Sequence, residues 1–131
     1  MRISLWLQVS MEVGALRQVR NEVDVKEFKL LPDQIRHVAR GYGSCLATDR
    51  ITVEGSVVGY CYREEPESEL DSGWRFFAGD EDEGYLANAA NLEVYDVNTI
   101  ANYDPDVAPL LDSSVGCAYE RTHTGFVMVA E

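Results

Sequence analysis

The strongest constraint on the fold is a short alternating run at residues 57–64, Val-Val-Gly-Tyr-Cys-Tyr-Arg-Glu, which ends just before Pro66. Its period of two predicts a strand, with Val58, Tyr60 and Tyr62 on one face and Val57, Gly59 and Cys61 on the other. Proline lacks the amide needed to continue a ladder, so the run stops there. A second strand is predicted between Gly73 and Gly79, and shorter ones at residues 3–9, 44–48, 92–97, 116–121 and 125–129. Residues 11–20 fit either helix or strand, and Val23, Val25 and Phe28 fit another extended piece.

Helical signals are few and short. Residues 32–40 begin with Pro32 and end with Arg36 and Arg40 ahead of Gly41, the expected order of helix start and stop residues. Residues 49–55 read as a turn or helical turn, and 83–91 as a short helix or irregular loop. Asp104 followed by Pro105 predicts an N-cap and a two-turn helix limited by Pro109. No long helices alternate with the strands, which excludes a doubly wound parallel sheet. The expected class is α+β: a mixed, mostly antiparallel sheet with two or three short helices packed on one side. A chain of 131 residues is the size of one domain, although a boundary near residue 40 fits a change in charge.

That change is large. The net charge is −12, yet residues 1–50 contain eight bases and six acids, whereas 51–131 contain three bases and 17 acids. Nine carboxylates fall within 64–83: Glu64, Glu65, Glu67, Glu69, Asp71, Asp80, Glu81, Asp82 and Glu83. Such a surface repels nucleic-acid backbones and anionic membranes and attracts basic proteins. Cys45, Cys61 and Cys117 are odd in number and contain no CxxC pair, so they form neither a disulfide framework nor a zinc site. No apolar run reaches the length of a membrane span, and the N-terminal run at 3–7 is too short for a signal peptide. The expected location is cytoplasmic.

Catalytic signatures are missing. From Asp80, Gly84 falls at position 5 and Asn91 at position 12, whereas a calcium loop needs Gly at 6 and Glu at 12. The carboxylates lie mostly in polar loops that would not raise a pKa. Glu120 beside Arg121 reads as an ion pair, and His37 and His123 as surface residues without a nearby nucleophile. No P-loop, G-x-S-x-G or G-x-G-x-x-G occurs. Trp74, directly after Asp71-Ser72-Gly73, reads as either a core anchor or an aromatic contact at the rim of an acidic loop.

Four blocks then occur in order: Gly59-Tyr60-Cys61-Tyr62-Arg63-Glu64-Glu65-Pro66, Asp71-Ser72-Gly73-Trp74-Arg75-Phe76, the segment 95–105 around Asn98-Thr99-Ile100-Ala101-Asn102-Tyr103-Asp104-Pro105, and Ala118-Tyr119-Glu120-Arg121. This series resembles the bacterial Imm33 (DUF2185) family over residues 44–121, leaving 1–43 as an N-terminal extension of unassigned role. The resemblance implies an immunity protein that binds a toxin and brings no catalytic residue with it.

The sequence therefore predicts a non-enzymatic protein-binding domain without cofactor or metal. Its partner is a protein, in the sharper form a basic toxin. The expected contact residues are Glu64, Glu65, Glu67, Glu69, Asp71, Trp74, Asp80, Glu81 and Asp82. The alternative is a cytosolic domain with a regulatory role or a small-molecule pocket at Tyr60, Tyr62 and Arg63. Exposed strand edges leave a homo-oligomer open.

Overall fold

The computed structural model describes residues 26–129. The pieces expected at 3–9, 11–20, Val23 and Val25 lie outside the described residues. Six strands form one sheet: β1 (Ser44–Thr48), β2 (Tyr60–Arg63), β3 (Asp71–Phe77), β4 (Leu92–Asp96), β5 (Ala118–Thr122) and β6 (Gly125–Met128). Their order is β4-β1-β3-β2-β5-β6. Only the β1–β3 pairing is parallel. Three short α-helices, α1 (Asp49–Thr52), α2 (Glu83–Ala87) and α3 (Val97–Tyr103), join them, with 3-10 turns at Pro32–Gln34, Ala89–Asn91 and Pro105–Leu110. This is the expected α+β class.

Strand alternation sends side chains to two packed faces. On one, Cys45, Ala47, Cys61, Trp74 and Phe76 meet Val97, Ile100 and Ala101 of α3 together with Val107 and Leu111. On the other, Leu46, Tyr60, Tyr62, Phe77 and Ala118 pack with Leu86 of α2, Ala89 and Leu92. Helical segments thus contribute to both faces rather than one. Val58 packs with Cys61 and Trp74, not with Tyr60 and Tyr62 as expected, because the regular ladder begins only at Tyr60.

Glycine sets the start of β3. The β1–β3 register advances from Ser44↔Asp71 to Leu46↔Arg75, so Ser72 and Gly73 form a bulge. Gly73 has φ +89°, and a Cβ there would lie 2.1 Å from the Glu64 carbonyl oxygen. Only glycine lets the two strands approach so closely.

Two sequence expectations fail for one reason. The helix expected at 32–40 stops after the 3-10 turn Pro32–Gln34, while α3 forms directly after the strand expected at 92–97, where no helix is expected. Asp96 caps α3 by accepting from the Asn98 amide. The buried Asn98 then takes over the backbone of the preceding segment. Its Oδ1 accepts from the amides of Val38 and Ala39 at 2.7 and 2.8 Å, and its Nδ2 donates to the Arg36 carbonyl. Asn102 accepts from the Arg36 amide and donates to the same carbonyl. Side-chain partners satisfy the groups that helical bonds would have used.

Residues 26–43 are therefore tied into the sheet domain. Lys26 pairs with Asp49 and Glu93, Lys29 N–H donates to Thr52, and Ala39 joins the core. We predict that Asn98→Ala lowers unfolding free energy in urea by about 1–3 kcal/mol, because it leaves the buried Ala39 amide without its acceptor.

Candidate functional site: an acidic loop closed by a buried guanidinium

The loop between β2 and β3 is anchored at both ends by one arginine. Arg75 projects to the same sheet face as Tyr62, its cross-strand neighbour, and is 2% exposed. Its Nε donates to Glu64 Oε2, at the loop's entry. Nη1 and Nη2 donate to the two carboxylate oxygens of Asp71, at the exit, at 2.9 and 2.8 Å. The planar fork of arginine fits this two-sided demand as lysine cannot. Asp71 extends the lock by accepting from the amides of Glu67 and Gly73, and its own N–H donates to Ser68.

The clamp carries two carboxylates for one guanidinium, and they respond differently. Burial pushes Glu64 up, with Arg75 pulling the other way, and its Oε1 is buried without a hydrogen-bond partner. Burial also opposes the charge on Asp71, but Arg75 and the amides of Glu67 and Gly73 outweigh it and hold this carboxyl below its usual range.

Several of the expected contact residues have partners within the chain. Glu64 and Asp71 hold Arg75. Trp74 is 0% exposed; it stacks on Phe76 and donates from Nε1 to the Leu111 carbonyl, so it is a core anchor. Glu81 is occupied by Thr48 and by the amides of Ala78 and Gly79. Asp82 remains exposed but caps α2 through the Tyr85 amide, and Asp80 lies 3.2 Å from Arg50. The two acidic stretches also sit at opposite ends of β3, about 20 Å apart for a strand of this length.

What stays free is compact. Glu65, Glu67 and Glu69 are exposed and, among the described residues, their carboxylates make no ion pair. Leu70 beside them is 78% exposed, although its carbonyl is fixed by the amide and hydroxyl of Ser44. Neither the apolar tip nor the fixed geometry is evident in the sequence, where Leu70 looks like an ordinary loop residue and Arg75 like a lone strand cation.

The remaining chemistry is structural. Arg121 pairs with Asp104 and Asp106, not with Glu120. The buried Asp104 also accepts from the Val58 amide and, as expected, caps the segment after it. Tyr60 and Tyr62 lie in the core, and Arg63 spans the carbonyls of Ser72 and Ser113. A cleft of about 600 Å³ opens elsewhere, between Val57, Tyr60, Gly79, Asp80, Glu120 and Arg121. Among the described residues, no group of three or more His, Cys, Asp or Glu is placed to share a metal ion, and no helix is long and apolar enough to cross a membrane.

The clamp predicts two stability effects. Arg75→Met strands two buried carboxylates and should cost about 3–5 kcal/mol in denaturant titrations. The pH profile should bend twice. Glu64 titrates higher in the folded state, so stability rises as pH falls toward its unfolded value. Asp71 titrates lower in the folded state, so stability is then lost as pH falls through its folded value. Glu64→Gln should remove the first limb and leave the second.

Searches of curated proteins and of solved structures return no match. A family model does match, over residues 45–130, covering the clamp, both core faces and all six strands except the first residue of β1. Its description is "Immunity protein Imm33 domain", and this chain belongs to that family.

Proposed function

We propose that the chain is a non-enzymatic immunity protein that neutralises a basic bacterial toxin by binding it, and that the loop at 65–70 is its principal contact. Family membership supports a protein partner in general terms. The observation that carries the contact surface is the exposed Leu70 beside three unpaired carboxylates, on a loop closed at both ends by Arg75.

Each feature has a physical role. Glu65, Glu67 and Glu69 create a local negative potential that speeds encounter with a cationic surface. Leu70 supplies apolar area that charged residues cannot, and a central apolar anchor ringed by polar groups is the usual anatomy of a binding hot spot. The clamp fixes the loop before binding, so less conformational entropy is lost on association. Asp80 and Asp82, at the far end of β3, contribute long-range steering rather than contact in this reading. The protein works in the cytoplasm, where a producing cell must meet its own toxin.

The test uses a toxin whose growth inhibition this chain relieves on co-expression, with association followed by stopped-flow fluorescence at low and high salt. Replacing Glu65, Glu67 and Glu69 by Gln should slow association at least about tenfold at low salt and have little effect at high salt. Leu70→Asp should raise the dissociation rate. Unchanged rates in both variants would assign the contact to another surface.

A further inference from the structure

We propose that the β6 edge is a self-association surface, through which two copies of the chain join their sheets by antiparallel β6–β6 pairing. The inference is independent of the toxin-binding loop.

The hydrogen-bond pattern determines which groups of β6 are unused. Arg121 N–H donates to Gly59, so the Arg121 backbone faces β2. Its partner in register on β6 is Phe126, whose N–H and C=O must therefore point away from β5. Val129 N–H donates to Ala118, so residues 127 and 129 face inward. Phe126 and Met128 thus present their main-chain groups outward, and among the described residues nothing pairs with them.

Those two residues are self-complementary. With Val127 opposite Val127 of the second copy, Phe126 faces Met128 in both directions. Each of these pairs then exchanges both of its N–H···O=C bonds. The side chains agree with this register. Val127 meets its equivalent on one face, and Phe126 meets Met128 on the other. Val127 and Met128 are 42% and 66% exposed in the single copy.

Charge selects the occupant and the edge. Residues 125–130, Gly-Phe-Val-Met-Val-Ala, carry no charge in a chain of net charge −12. Edge strands are ordinarily protected by a charge or a proline, and this one has neither. Twofold pairing juxtaposes only apolar groups here. The other edge strand, β4, carries two carboxylates, Glu93 and Asp96.

The junction is short and joins two anions, so a weak dimer is expected, one that tightens as salt screens the repulsion. The test is sedimentation equilibrium of the full chain up to about 1 mM, at low and high salt, with amide hydrogen exchange at Phe126 and Met128. The expected result is a concentration-dependent dimer strengthened by salt, with both amides slowing as it forms. Val127→Glu should weaken it at least about tenfold, while Val127→Thr keeps it. A monomer throughout, or a dimer in which the Phe126 and Met128 amides still exchange rapidly, would overturn the proposal. The exchange readout stands even if Val127→Glu proves unstable.

Discussion

The interaction on which the rest of the structure depends is the buried guanidinium of Arg75 between Glu64 and Asp71. It joins the end of β2 to the start of β3, the two central strands of the sheet. Removing these ions from water is costly, and the arrangement is tolerable because the fork geometry, the Trp74 carbonyl and two backbone amides satisfy most of the charged atoms. The bulge at Gly73 serves the same joint. It brings the β3 backbone against the Glu64 carbonyl, which accepts no side chain at that distance. Sheet register, loop shape and the orientation of the free carboxylates all follow from this arrangement.

A similar economy appears on the other side of the sheet domain. Asn98 and Asp104, both buried, hold separate stretches of backbone against α3 and its following turn. Arg121 completes the second site by pairing with Asp104 while lying over the Phe126 ring. Polar residues that look like surface chemistry in the sequence are joints of the fold. The acidic composition therefore divides into carboxylates that hold the protein together and a smaller set that faces outward. Only the second set is available to a partner.

How much of this was legible follows from range. The strands at 44–48, 57–64, 73–79, 92–97, 116–121 and 125–129 are readable because alternation and glycine punctuation are local signals. The turn at Asp49 and the cap at Asp104 were readable for the same reason. The helix expected at 32–40 was not formed because Asn98 and Asn102, more than 55 residues away in the chain, claim its backbone groups. The role of Trp74 depended on whether the strand face beneath α3 was covered, which no local pattern states. Glu64 and Asp71 were grouped with their acidic neighbours because sequence distance hides the fact that both meet Arg75. The blocks that carry the family resemblance are largely these joints, which explains why the family could be read while the contact surface could not.

The central claim is that Arg75 holds the acidic loop in one shape. Amide hydrogen exchange at Glu67 and Gly73, whose N–H groups both donate to Asp71, measures this directly in the native chain and in Arg75→Lys. The account predicts slow exchange at both amides in the native chain and selective acceleration in the variant, with the core amides of β3 still protected. Rapid exchange at Glu67 and Gly73 in the native chain, or no change on substitution, would contradict it.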